Sequence, residues 1–244
     1  MAMGPDYRTV SRTGAEVAGI DAGLRQYMLR VYNYMAGGVA LTGIVAYVFS
    51  NMVMTSPQLA TAVYGSPLKW VIIFAPLGFA LLFGMRIQTM ATSTAQMLFW
   101  AFAAVMGLSM ASIFLVYTQE SIARTFFISA GMFGAMSLYG YTTKRDLTGW
   151  GSFLFMGVIG VILASIVNLF MGSSALGFAI SVIGVLVFTG LTAYDTQKIK
   201  EMYSEHDEGG TMTKKAILGA FNLYLDFINL FVMLLRLVGT VRSN

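Results

Sequence analysis

The chain alternates long apolar runs with short polar breaks. Seven runs reach spanning length, about 20 residues for a straight helix. They cover residues 34–54, 69–88, 97–118, 123–141, 150–171, 176–195 and 216–238. The third and fourth are parted only by Gln119-Glu120-Ser121 and their neighbours. Connections are short, except for the charged stretch 196–215. No internal repeat is evident. The pattern predicts an all-α integral membrane protein with seven transmembrane helices in one bundle. A polar segment over 1–33 precedes a membrane domain over 34–244.

Composition agrees. Of the 244 residues 57% are hydrophobic and 11% charged, against about 25% charged in a soluble domain. Mean hydropathy is +0.72. There is no cysteine, which excludes disulfides, thiolate metal sites and cysteine catalysis. The net charge of +4 does not point to nucleic acid, because the basic residues lie at run ends and in connections. The first 33 residues hold no apolar core like that of a signal peptide, so the first run is read as an uncleaved span. The 15 lysines and arginines divide eleven to four in favour of a cytoplasmic N-terminus. An odd number of spans then puts the C-terminus outside, unless one run is re-entrant.

Two carboxylates fall where lipid cannot solvate them. Asp195 closes the sixth run and Asp226 lies inside the seventh. An acid at membrane depth costs roughly 2.5–3.5 kcal/mol on insertion scales and marks a proton or ion path by default. Arg86 ends the second run at the same face. Two carboxyls in a poorly hydrated site cannot both ionise cheaply, so they share a proton and titrate as a unit. Once deprotonated they attract cations, and Arg86 paired with either would act as a latch. Plainer roles are an interfacial Asp195 and an Arg86 that snorkels to lipid phosphate. Spacing alone does not bring the pair together: Asp226 lies ten residues after Ala216, a helical rise of ~15 Å. They meet if the seventh helix starts in water, if the sixth dips inward, or if the bundle tilts.

Asn222, Asp226 and Asn229 share one helical face, continued by Arg236. Such a face is expected to turn into the protein, with Asn222 and Asn229 as polar lining. Gly157, Gly160 and Ala164 in the fifth run, and Gly131 with Ala135 in the fourth, are small residues spaced for close helix packing. His206 sits among acids in the last long connection, where it can respond to pH. That spacing does not match an EF-hand loop, and no metal is assigned there. The 18 methionines read as adaptable core filling.

Three segments carry a family resemblance. Gly190-Leu191-Thr192-Ala193-Tyr194-Asp195-Thr196-Gln197-Lys198-Ile199 resembles the sixth-helix motif of the Bax inhibitor (transmembrane Bax-inhibitor-motif) family. Leu223-Tyr224-Leu225-Asp226-Phe227-Ile228-Asn229-Leu230-Phe231 resembles its seventh-helix motif, and Phe83-Gly84-Met85-Arg86 its second-helix arginine. The resemblance covers about 34–240 and is closest to bacterial members, which implies a multi-pass protein of the bacterial inner membrane. It implies a central seventh helix surrounded by two three-helix layers, and a pH-sensitive calcium leak. Asp195 and Asp226 then correspond to paired pH-sensing aspartates and transient calcium contacts, and Arg86 to the arginine that locks the closed form. Ser204-Glu205-His206-Asp207-Glu208-Gly209-Gly210 departs from the pattern as a local insertion. The basic tail of eukaryotic members has no counterpart after Arg242, so its regulatory role is not carried over.

The resulting expectation is a calcium leak gated by protonation of the aspartate pair. Its partners are the lipid bilayer, calcium ions and protons, with no cofactor and no nucleic acid. The alternative is a regulatory protein that modulates another membrane protein, such as a quality-control protease or a cell-death regulator. An enzyme is not expected. Intramembrane aspartyl proteolysis needs Gly-x-Gly before the second aspartate, and this chain has Leu223-Tyr224-Leu225. A retinal protein needs a lysine inside the seventh helix for its Schiff base, and Lys214 and Lys215 precede it.

Overall fold

The computed structural model describes residues 14–242. Its helices are α1 (Gly14–Thr55), α2 (Pro57–Tyr64), α3 (Leu68–Arg86), α4 (Thr92–Val116), α5 (Gln119–Thr142), α6 (Thr148–Met171), α7 (Ser174–Glu201) and α8 (Gly209–Val238). All but α2 are long and apolar enough to cross a membrane. The seven expected spans are therefore α1 and α3 to α8, and α2 is a short helix in the first connection. The sixth and seventh runs are α7 and α8.

Local chemistry sets several of the ends. Ser56, Thr118 and Ser173 each accept a backbone N–H from the first turn that follows, filling one orphan donor of a helix start. Gly172 ends α6 at φ 61, the left-handed conformation that favours glycine there. The thin boundary between the third and fourth runs is the two-residue break Tyr117-Thr118. Gln119 and Glu120 belong to the first turn of α5, where an acid suits the helix dipole.

Three boundaries differ from the hydropathy reading, each for a packing reason. No secondary-structure boundary falls at residue 33, because α1 runs unbroken from Gly14. Tyr27, Met28, Val31 and Met35 are buried, while Arg25 on another face stays exposed. An amphipathic stretch of this kind has a low mean hydropathy yet belongs to the core. The part of the 1–33 segment before Gly14 lies outside the described residues. Helix α7 continues past Asp195 to Glu201, with Thr196, Gln197 and Ile199 buried. Helix α8 begins at Gly209, two turns before its apolar run.

Helix α8 is the axis of the molecule. In its most apolar stretch 72% is buried, against 11–33% in the other six spans. It packs on α1 and α4 on one side and on α5 and α7 on the other. Helix α3 packs on α4, and α6 on α7. Aromatic rings join the first group to the axis: Phe83 and Phe102 lie 4.8 and 4.9 Å from the Phe221 ring. Outward faces are apolar, including Leu169, Phe170 and Phe178, as lipid requires.

The ends of the bundle are tied differently. At one end Lys214 Nζ donates to Gln88 O (3.1 Å) and Lys200 Nζ to Tyr141 O (2.9 Å). Gln197 spans the α5–α6 connection there, donating to Arg145 O and accepting from Leu147 N, both at 2.8 Å. At the other end the segment after α8 folds onto the α4–α5 break, making an isolated antiparallel bridge between Val241 and Tyr117. Thr118 N donates to Thr240 O (3.0 Å) and Arg242 N to Val116 O (2.9 Å).

Small residues are used where backbones approach, though not all at the expected places. A Cβ on Gly157 would meet Val187, but Gly160 and Gly131 have nothing within 4 Å. Gly131 and Ala135 are exposed, so the small-residue face expected in the fourth run looks out to lipid. The close approach on α5 is instead Gly140, packed on the backbone of Ala193.

Candidate functional site

The α7–α8 pair is antiparallel, and two contacts fix its register. Gly184 faces Met233, and Gly219 faces Ile199. Interpolating between them puts Asp195 level with about Asn222, one turn short of Asp226, an axial offset of ~6 Å. Side chains on a helix lean toward its N-terminus. In an antiparallel pair staggered this way the two leans converge, and the carboxyl groups of Asp195 and Asp226 come close enough to act directly on one another. The early start of α8 and the late end of α7 supply the geometry that spacing left open.

Two carboxyls this close repel when both are ionised and attract when they share one proton. Asp226 is 5% exposed and lies ~25 Å along α8 from Gly209 and ~18 Å from Val238, near mid-membrane. Its Oδ2 is buried with no protein partner. Asp195 is half-buried, and Lys198, one turn further on, is close enough to act on it electrostatically. The asymmetry is one enclosed acid and one acid nearer the surface.

Two hydroxyl chains hold the pair in place. Beside Asp195, Thr196 Oγ1 lies 3.0 Å from Ser137 Oγ, which lies 2.6 Å from Tyr32 Oη. That chain ties α7 to α5 and α1. Near Asp226, Tyr224 Oη lies 2.6 Å from Thr42 Oγ1, and Thr42 donates to Ala103 O at 2.8 Å. That chain ties α8 to α1 and α4. The sequence reading passed over Thr42, Ser137, Thr196, Gln197 and Tyr224. Their signal was present as hydroxyl and amide groups inside apolar runs, which lipid cannot satisfy.

The other expected site residues divide. Asn222 and Asn229 flank Asp226 by about a turn on either side and are half-buried. Asn229 lines a cavity between α6, α7 and α8, with Arg236 also in its wall. Arg86 is exposed in the last turn of α3 and makes no ion pair with another described residue. Phe83, one turn earlier, touches Phe221, so α3 reaches α8 on the Asp195 side of Asp226. The structure therefore joins the two aspartates and leaves Arg86 apart from them. His206 is 84% exposed, 4.0 Å from Glu205. Asp207 instead turns to Lys215 at 2.7 Å.

Among the described residues no group of three or more His, Cys, Asp or Glu is placed to hold a metal. Calcium takes six to eight oxygens, and two carboxylates offer four at most. The pair suits passing contact with a cation better than a resident ion. Leu223 is fully buried and Leu225 half-buried, so side chains fill the two positions where an intramembrane aspartyl protease keeps glycine.

Comparison with known proteins agrees with this architecture. The sequence profile of the family described as "Inhibitor of apoptosis-promoting Bax1" matches residues 24–243. Inner membrane protein YbhL of Escherichia coli (strain K12) is 49% identical over 223 residues, 91% of this chain and 94% of that protein. The protein RP147 of Rickettsia prowazekii is 51% identical over 240 residues, 98% and 99% of the two chains. A protein of Borreliella burgdorferi is 38% identical over 221 residues, 90% and 94% of the two. With seven membrane-spanning helices and a profile match over nearly its whole length, the chain belongs to the Bax inhibitor family.

Proposed function

We propose that this protein is a proton-gated cation leak of the bacterial inner membrane, with calcium as the permeant ion and its N-terminus cytoplasmic. The observation that carries the reading is the close Asp195–Asp226 pair, with Asp226 buried near the middle of the apolar run of α8. One shared proton holds α7 and α8 in the arrangement described. Loss of that proton sets two negative charges against each other in a poorly hydrated place and disfavours this packing. A two-state bundle whose states differ in proton affinity is thereby coupled to pH. In the open state the separated carboxylates meet a cation from solution, and Asn222 and Asn229 extend a polar lining along α8. Arg86, free here of any described acid, is the group that would pair with the one ionised carboxylate of the shared-proton form and hold the path shut. The inner-membrane placement is supported by the similarity to YbhL. The orientation is supported by the basic residues gathered at the end where Arg86, Arg145, Lys198, Lys214 and Lys215 lie.

The test is calcium flux into proteoliposomes holding the purified protein, from about pH 6 to 8, for wild type and Asp226→Asn. Flux is expected to rise with pH in the wild type, and Asp226→Asn is expected to lose the pH response because an amide cannot give up the proton. No flux above empty vesicles at any pH would sink the leak and leave regulation of a membrane protein partner as the better reading.

A further inference from the structure

The pair is approached from the Asp195 end by half-buried residues, and from the other end by a cavity. That cavity, about 420 Å³, lies where α6 and α8 diverge on either side of α7. Its walls include the buried Val161, Ile180, Phe188 and Met233 and, on its open side, the lipid-facing Leu169; its polar groups are Ser165, Asn168, Asn229 and Arg236. Arg236 lies in the last turn of α8 and is exposed. Ser165 and Asn168 come from α6, and Asn229 lies deepest, three residues from Asp226.

These groups are not accounted for by packing. Asn168 Oδ1 is used to accept Ser173 N at 3.0 Å, and Ser165 Oγ donates to Val161 O at 2.7 Å. Asn229 and Arg236 make no hydrogen bond to another described residue. At the same depth two further polar atoms are buried without protein partners, Thr189 Oγ1 on α7 and Asp226 Oδ2 on α8. The register places Thr189 level with about Asn229. Polar groups without a protein partner favour water; Asn229 and Arg236 line this cavity, which has room for several molecules, whereas Thr189 and Asp226 are not part of its wall.

We propose that this cavity is an aqueous vestibule leading from the α8 C-terminal face to Asn229, one turn above the carboxyl pair, and that Arg236 at its mouth selects entrants by charge. The proposal rests on reading the pair as the gate. A fixed positive charge lowers the local concentration of cations and raises that of anions. Seven residues of helix separate Arg236 from Asn229, a span of ~10 Å. In water-like surroundings that changes the relative access of singly charged ions of opposite sign by roughly fourfold without screening and about 1.5-fold at physiological salt. Arg236 is thus a specificity-determining residue that slows cation entry from this face, so that the leak conducts unequally in its two directions.

The chain has no cysteine, so single cysteines can be introduced without a background. Asn229→Cys and, separately, Ser165→Cys are treated in nanodiscs with two membrane-impermeant methanethiosulfonates, one carrying a sulfonate and one a trimethylammonium group. Rates are referred to each reagent's rate on a small free thiol. Both cysteines are expected to react, with the anionic reagent favoured at Asn229→Cys by roughly fourfold at most in low-salt buffer and by about 1.5-fold at physiological salt. Adding Arg236→Gln is expected to abolish that preference without closing access. Leu186→Cys, on the exposed apolar face of α7 at about the depth of Asn229, should stay unlabelled, and Thr240→Cys, exposed beyond α8, should react with both. If Asn229→Cys and Ser165→Cys both stay unlabelled while Thr240→Cys reacts, there is no vestibule. A preference that survives Arg236→Gln overturns the role of Arg236. Labelling is read without any flux, so a failed leak leaves this result interpretable on its own.

Discussion

At the scale of single residues, the site is two acids whose positions are set by neutral hydroxyls. Thr42 holds two bonds, one to Tyr224 and one to Ala103 O. Tyr224→Phe removes one partner and leaves Thr42 satisfied, so a cost of about 0.5–1.5 kcal/mol is expected. Thr42→Val leaves the Tyr224 hydroxyl buried and unpaired, for which about 1–3 kcal/mol is the usual penalty. Unfolding in detergent should therefore rank Thr42→Val as the less stable of the two, and the reverse order would show that the chain does not hold α8. Asp146 gives a useful contrast on pH. It is fully exposed, and hydrogen bonds from Thr148 hold its carboxyl below the usual carboxylate range. Such a group contributes stability that is present above its unfolded value and lost as pH falls through its folded value. Across about pH 6 to 8 it stays ionised, so a response in that window does not come from it. Asp195, Asp226 and their flanking asparagines were legible in the sequence, because a charge inside an apolar run stands out. The hydroxyls were not, because serine and threonine are common in spans and only the fold shows which of them cross to another helix.

At the scale of elements, the number and order of the spans followed from run length, while several boundaries did not. Hydropathy averages over a helix and so misses amphipathic extensions such as the start of α1, where one face is buried. It also stops at Asp195, although α7 continues and Gln197 is satisfied by the α5–α6 connection. Small-residue spacing was a weaker guide, since a glycine at helical spacing serves equally well facing lipid. Substitution separates the two uses. Gly131→Ala has open space, and alanine is the better helix former by about 1 kcal/mol, so stability should hold or rise slightly. Gly140→Ala drives a methyl into the Ala193 backbone and should destabilise by a few kcal/mol, as overpacking does. Equal melting temperatures for the two variants would contradict the α5–α7 contact.

At the scale of the whole molecule, the two helix groups meet chiefly through α8. Contact between them otherwise includes a short stretch of α1 with α7, the packing of Ile122 on α5 near Ile113 and Phe114 on α4, and hydrogen bonds such as Tyr32–Ser137. Removing residues 209–244 should leave no folded monomer, and a monodisperse six-helix species in gel filtration would contradict that. The layered arrangement implied by the family motifs was not readable from hydropathy, because α8 has an apolar run much like the others and differs only in how much of it is covered. Synthesis makes that coverage consequential. The helix that fills the middle is the last of the seven to leave the ribosome. Until it arrives, Asp195, Thr42, Tyr32 and Ser137 must wait in the bilayer with one side of the bundle open. Assembly therefore runs from the outside inward, and the nascent chain passes through a stage in which an unmatched acid is exposed to lipid or to whatever insertion machinery shields it.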